Sequence, residues 1–288
     1  MGSSKLAENI PEEREDVANP SSPCPNPCDV AIPIVYPNQP IAIPATEVAK
    51  QIPFELDVRE SLEATFTQPG ASPPLSIARW NGDDAYVLGL GHAGIAMIDG
   101  TTGAVKYYEY GRYDRANYGQ VRSVTSIAGI TISFEPSTGD PINASLLQLA
   151  AALTQTNGGP YGFEAVYVKL ANGAFNAMVS FSETRKAEVQ AHSAPAYNVA
   201  SNHCFTFAME VASAAGVRTL DARSAPKLDV QLRGGNIVTR GLVGSLAPEF
   251  EVPARQMRAL QRSYRAFNVT GGGMINADFE YPTGLNSK

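Results

Sequence analysis

Two short segments carry the residue types of a thiol nucleophile and its base. SNHCFTFAMEVASAAG places Cys204 in the first turn of an apolar-striped helix, and GLGHAGIAMIDG places His92 in an apolar strand. A helix start lowers a thiol pKa, because its unpaired backbone N–H groups and the helix dipole stabilise the thiolate. Asn202 or Ser201 is the expected N-cap, and Phe205, Ala208, Met209, Ala212 and Ala215 mark the face that packs inward. Taken singly, Cys204 reads equally as a small buried hydrophobe and His92 as a structural histidine. Taken together, the histidine can act as base toward the thiol and later as acid toward a leaving group. Gly91 and Gly94 beside His92 leave room for a close neighbour.

A third group should orient the imidazole. GTTG joins two strand-like runs as a hairpin turn. With an even loop centred on Thr101 and Thr102, Asp99 faces Ala104 and His92 lies opposite Gly111. The period-2 pleat then puts Glu109 on the His92 face, as a diagonal neighbour. An odd loop or a bulge would bring Tyr108 or Tyr110 beside His92 instead and leave Glu109 a solvated charge. His203 points about 100° away from Cys204 around the helix and reads as a neighbour rather than the base. His192 lies in a polar loop as a surface histidine. Tyr107, Tyr108, Tyr110 and Tyr113 can wall a cleft or pack the core. Arg255, Arg258, Arg262 and Arg265 form a solvated basic face, with contact to an anionic substrate as the alternative.

The elements that must position these residues follow from periodicity and punctuation. Nine of the 21 prolines fall within the first 45 residues, so residues 1–50 read as an extended proline-rich leader. Within it, VAIPIVYPNQPIAIP can lie along the body as an irregular, polyproline-like strand. Residues 51–288 read as a single domain with its core at about 80–216 and an extension at 217–288. ATEVAKQIPFELDVRESLEATF suggests a helix broken at Pro53, and TQPGASPPL a turn-rich connector. LSIARW, DAYVLGLGHAGIAMID, AVKYYEYGRYD and VRSVTSIAGITISFE have strand character. NASLLQLAAALTQTNGG reads as a helix capped by Asn143, with Gly158 past its end. GFEAVYVKL and AFNAMVSFS flank an Ala-Asn-Gly turn as a second hairpin, followed by the loop KAEVQAHSAPAYN. The Cys204 helix stops at Gly216, and PARQMRALQRSYRAF starts another helix at Pro253.

The bulk properties narrow the function. A chain of 288 residues with 44% hydrophobic side chains can bury a substantial core. Its net charge of −6 argues against a nucleic-acid or anionic-membrane binder. No apolar run reaches the length that spans a bilayer; ASLLQLAAAL is too short. MGSSKLAENIPEEREDV lacks an apolar h-region, so no cleavable secretory signal is expected. Cys24 and Cys28 form a C-x-x-x-C pair without the four ligands of a structural zinc site. They read as two loose thiols in the leader, or as a local disulfide in an oxidising compartment. Neither a metal nor a cofactor is implied.

The strand motif G-H-A-G, the following strand with a polar residue, and the later N-x-C-x-x-F helix start resemble the circularly permuted papain-like hydrolases of the NlpC-like superfamily. In permuted members, which include the lecithin:retinol acyltransferase-like proteins, histidine precedes cysteine, as here. The resemblance covers about residues 80–216, and GHAGIAMIDGTTGAVKYYEYGRYD is also similar to stretches of type VI secretion system amidase effectors. It implies an α+β, permuted papain-like fold, with an antiparallel sheet packed against the helix that bears the nucleophile. It further implies Cys204 as nucleophile, His92 as base and Glu109 in the third position of a Cys-His-Glu triad. Lipid-acting relatives place asparagine directly before the cysteine, whereas His203 intervenes here. Many relatives carry a second histidine in the third position, and the 104–120 segment has none.

The expected activity is cleavage of amide bonds in peptidoglycan peptides by an antibacterial effector, exported without a signal peptide and acting in a target bacterium's periplasm. A cognate immunity protein and a secretion-apparatus component are the implied partners. The alternatives are a lipid ester or thioester hydrolase or acyltransferase, and a non-catalytic secreted adaptor. The adaptor would be favoured by Cys204 and His92 lying far beyond hydrogen-bond reach.

Overall fold

A computed structural model describes residues 27–44, 64–67, 75–81, 84–88, 91–113, 118–156, 162–198, 201–217, 229–232, 253–270 and 277–280. In chain order these form β1 (Asp29–Tyr36), β2 (Ile41–Pro44), β3 (Ala64–Thr67), β4 (Leu75–Asn81), β5 (Asp84–Leu88), β6 (His92–Ile98), β7 (Val105–Gly111) and β8 (Gln120–Ser123). Then follow α1 (Asn143–Thr156), β9 (Phe163–Leu170), α2 (Ala174–Gln190), α3 (Cys204–Ala214), β10 (Asp229–Leu232), α4 (Pro253–Gln261), β11 (Arg265–Val269) and β12 (Ala277–Glu280). The main sheet has seven strands in the order β12-β11-β9-β1-β6-β7-β8, every neighbouring pair antiparallel. A second, five-stranded antiparallel sheet runs β10-β3-β4-β5-β2.

The main sheet is the middle of three layers. One face carries Ala31, Val35, Ala93, Ile95 and Met97 against α2, α3 and α4, whose buried residues include Met178, Phe207, Val211 and Met257. The other carries Ile32, Ile34, Ala96, Ile98 and Tyr107 against Leu146, Leu149 and Leu153 of α1. Alternate residues of β1 and β6 thus enter different cores, as the pleat requires. Burying an aliphatic or phenyl side chain contributes about 1.5–3 kcal/mol, so Phe207 and Val211 help hold α3 against the sheet.

The largest departure from the sequence reading is β1. Residues 29–36, placed in the leader, are the central strand of the sheet, between β6 and β9 and buried along their whole length. The proline density around DVAIPIVY masked a continuous apolar run, which is the signature of a strand covered on both faces. Pro33 is tolerated because the β1–β9 ladder skips Ile32 and Pro33 while β6 pairs throughout. Residues 1–26 and 45–63, with Cys24 and the helix suggested around Pro53, lie outside the described residues. Cys28, buried at the entry to β1, is disulfide-bonded, which selects the disulfide over the loose-thiol reading.

Three further expectations change. AFNAMVSFS is the start of α2 rather than a hairpin arm, and α2 also takes up KAEVQ from the supposed loop. Its buried Met178, Ser182 and Val189 follow helical spacing. Its amino end is held from far along the chain: buried Asp29 accepts the Gly173 and Phe175 amides at 2.8 and 2.9 Å and the Gly100 amide at 2.8 Å. Of VRSVTSIAGITISFE, only Val121–Ser123 belong to a strand, followed by a 3₁₀ turn at Thr125–Ile127 and isolated bridges at Thr131 and Phe134. The helix from Pro253 ends at Gln261, and Arg265–Val269 becomes β11 against β9.

Candidate active site

His92 is the first residue of β6 and Cys204 the first residue of α3. Strand parity sets His92, Gly94 and Ala96 on the α1 face with Tyr107 and Glu109, while Ala93, Ile95 and Met97 face α3. The imidazole reaches the thiol because both residues begin their elements, at one end of the sheet. The His92 and Cys204 side chains are close enough for each to shift the other's protonation. Cys204, His92 and Glu109 are 2%, 4% and 6% exposed, so the pairing is formed largely out of water.

The β6–β7 register pairs Ile98 with Val105 and Gly94 with Glu109. Asp99 and Ala104 close the turn, with the Asp99 amide donating to the Ala104 carbonyl at 3.0 Å and the Asp99 carboxylate accepting the Thr101 and Thr102 amides. This is the even-loop register, and it brings Glu109 beside His92. His92 Nε2 lies 3.3 Å from Glu109 Oε2 and 2.9 Å from the Tyr113 hydroxyl. With Nε2 so engaged, Nδ1 is the nitrogen left for the thiol. Tyr113 donates to Glu109 Oε1 at 2.9 Å, and Tyr107 donates to Glu109 Oε2 at 3.3 Å.

Glycines make this crowding possible. A Cβ at Gly94 would stand 2.2 Å from the Tyr107 hydroxyl, and one at Gly111 would stand 2.8 Å from the Tyr113 ring. Each missing side chain is filled by a phenol that reaches the polar cluster. The Arg122 guanidinium stacks over the Tyr113 ring at 3.6 Å from its centroid.

The TseH-like family of type VI secretion system effectors matches residues 31–219, about two thirds of the chain. The chain belongs to that family. Its fold is similar to the crystal structure of the type VI secretion system effector TseH, with a TM-score of 0.53 and 18% identity over 88% of this chain and 99% of that one. No functionally curated protein matches. The match begins within β1 and ends just past α3, so the stretch that defines a TseH-like chain contains His92, Glu109 and Cys204.

The electrostatics of this TseH-like site favour a charged pair. Burial pushes the Cys204 thiol up, but hydrogen bonds from His203 and His92, and the positive charge they can carry, bring it down to about 6. Burial likewise pulls the His92 imidazole down, yet its hydrogen bonds to Cys204 and Glu109 raise it to about 10. Glu109 is lifted by burial and held below the usual carboxylate range by His92, Tyr113 and Tyr107. Burial and the Glu109 charge keep the Tyr113 phenol well above its ordinary value, so it stays protonated. Both shifts act in the same sense, favouring a thiolate beside an imidazolium at neutral pH.

Two residues escaped the sequence reading. The N-cap of α3 is His203, not Asn202 or Ser201: its Nδ1 accepts the Phe205 amide at 3.2 Å, and its own amide donates to Thr206 Oγ1 at 2.8 Å. Asn202 instead donates to the Pro195 and Ala196 carbonyls at 2.8 and 2.9 Å. The capping box is built from a His–Thr pair rather than the usual Ser/Thr and Glu/Gln, so its sequence signature was missing. Tyr113 stood only as one of four clustered tyrosines, because it follows the end of β7 where period-2 reasoning stops. His192 is exposed and stacks on Tyr118, away from the cluster. Among the arginines, Arg258 pairs with Glu164 at 3.4 Å and Arg265 donates to the Tyr167 hydroxyl. Among the described residues, no group of three His, Cys, Asp or Glu side chains is placed to hold a metal, and no helix is long and apolar enough to cross a membrane.

Proposed function

We propose that this TseH-like effector is a cysteine hydrolase of the permuted papain-like, NlpC-like kind, which cuts amide bonds in the peptidoglycan peptides of a target bacterium. The observation that carries the reading is the buried His92, hydrogen-bonded to Glu109 and electrostatically coupled to Cys204, with the thiol opening a helix. A non-catalytic adaptor would have no need to hold this pair in contact. Membership of an effector family supports delivery into another cell, and the periplasm is where the proposed substrate is reached.

In the proposed reaction the Cys204 thiolate attacks the amide carbon, and its electron pair forms the C–S bond as the carbonyl oxygen becomes an oxyanion. Backbone N–H groups at the start of α3 stabilise that oxyanion. Collapse breaks the C–N bond while His92 gives its Nδ1 proton to the leaving amine. Neutral His92 then takes a proton from water, the hydroxide attacks the thioester, and the C–S bond breaks to release the carboxylic acid and restore the thiolate. Glu109 and the phenols keep the ring in register throughout. Purified sacculi should yield new peptide fragments by mass spectrometry with wild-type protein and none with Cys204→Ala. If the two digests are indistinguishable, the peptidoglycan reading is wrong; parallel assays on lipid esters would then decide the acyl-ester alternative.

A further inference from the structure

We infer that Tyr113 is the positioning residue that couples His92 to Glu109, so that the carboxylate orients the imidazole chiefly through the phenol. The inference rests on the Cys204–His92–Glu109 reading above. Tyr113 has one hydroxyl proton, and Glu109 Oε1 at 2.9 Å is a carboxylate that can only accept it. The phenol oxygen is then the acceptor facing His92 Nε2 at 2.9 Å, closer than Glu109 Oε2 at 3.3 Å. The Nε2 proton is shared unequally, with the phenol as the nearer partner. One direction of donation runs along the chain: His92 Nε2–H to Tyr113 O, and Tyr113 O–H to Glu109.

The surroundings fix the phenol in this role. Gly111, which falls opposite His92 when the hairpin register is continued, leaves the space the ring occupies. Arg122 from β8 covers the ring face. The charged and titratable groups around the pair are Glu109 and Tyr107 from β7, Arg122 from β8, and Cys204 and His203 from α3. Burial keeps the Tyr113 proton in place well above neutrality, so the relay does not lose its direction in the working range. Removing the hydroxyl leaves the imidazolium with the longer contact alone, weakens it, and so weakens the thiolate it stabilises.

The test reads Cys204 directly and needs no substrate. The full-length protein is alkylated with iodoacetamide over roughly pH 5 to 10, and mass spectrometry follows the modification of Cys204. In Tyr113→Phe, which keeps the ring under Arg122, the acid midpoint should rise by about one pH unit, the worth of a hydrogen bond to a charged group. Glu109→Gln should raise it as well, and the double variant should add little to the larger single shift, because the two act as one unit. A Tyr113→Phe midpoint equal to that of wild type overturns the inference, and so do fully additive shifts. A second measurement uses wild type alone. NMR should show a slowly exchanging Tyr113 hydroxyl proton with a cross-peak to the His92 ring, and an exchange-averaged hydroxyl overturns the inference. Failure of sacculus digestion would sink the substrate while leaving these readouts standing.

Discussion

Gly94→Ala tests the packing that holds the carboxylate. The new Cβ would stand 2.2 Å from the Tyr107 oxygen, 2.5 Å from Cζ and 2.8 Å from Cε2, where ordinary contacts begin at 3.4 Å. The phenol must therefore retreat by about 1 Å, yet Tyr107 is only 1% exposed and packs in the α1-side core with Val105, Ala96 and Ile127. Overpacking of this kind costs about 1–3 kcal/mol. Withdrawal of the ring also breaks the Tyr107 hydrogen bond to Glu109 Oε2, a long bond to a charged acceptor worth about 1 kcal/mol. The combined loss is about 2–4 kcal/mol, or roughly 5–15 °C in Tm for a domain of this size.

Urea unfolding measures it, provided the slope is unchanged so that the midpoint alone carries the difference. Tyr107→Leu provides the control, because it removes the ring atoms in conflict. The double variant Gly94→Ala/Tyr107→Leu should be no less stable than Tyr107→Leu alone, so the coupling should equal nearly the whole Gly94→Ala loss. A Gly94→Ala protein within about 0.5 kcal/mol of wild type would refute the argument that this glycine exists to admit the phenol.

In wild type, Cys204 alkylation should reach half its plateau near pH 6, because the thiolate persists above that value, and should hold until His92 loses its proton near pH 10. A half-plateau at the ordinary thiol position of about 8.5 contradicts the ion pair. His203→Asn keeps a good N-cap but removes the second imidazole; stability should stay within about 1 kcal/mol while the thiol midpoint rises, and an unmoved midpoint would reduce His203 to a cap. Asp29→Asn should cost about 2–4 kcal/mol in urea unfolding. One carboxylate oxygen serves the Gly100 amide and the other serves Gly173 and Phe175, so either orientation of the asparagine sets an NH2 group against a donor. A loss below about 0.5 kcal/mol would show that these amides find other partners.

What could be read in advance was local and periodic. Cys204 and His92 stand out because a helix start and a Gly-flanked strand are short-range patterns. The Glu109 placement followed from loop parity, since one residue more in the turn would have turned it to the other face. What was hidden depends on partners distant in the chain. The amino end of α2 is capped by Asp29, some 144 residues earlier, so the preceding Ala-Asn-Gly looked like a hairpin turn. β1 looked like a leader because its prolines suggested polyproline structure, and only the interrupted ladder to β9 shows how Pro33 is tolerated. His203 and Tyr113 were passed over for a related reason. Each acts through a ring whose direction is set by neighbouring backbone, at the ends of elements where neither the helical nor the strand period applies.

Gly94 and Gly111, the glycines within strands β6 and β7, bear on how such a cluster can be built inside a sheet. A strand residue has neighbours across the ladder at about 4.5–5.5 Å, and bulky neighbours would fill the space that a buried His–Glu pair needs. Gly94 stands across from Glu109, and Gly111 falls across from His92 when the same register is continued. Water in those two vacancies would screen the pair and weaken the thiolate it supports. Phenols occupy them instead, supplying apolar bulk toward the core and a hydroxyl toward the carboxylate. His92 and Glu109 thus each face a glycine, and Gly94 and Gly111 are each roofed by a tyrosine. Replacing either glycine should disturb stability and thiol reactivity together, whereas a purely structural glycine would move only the first.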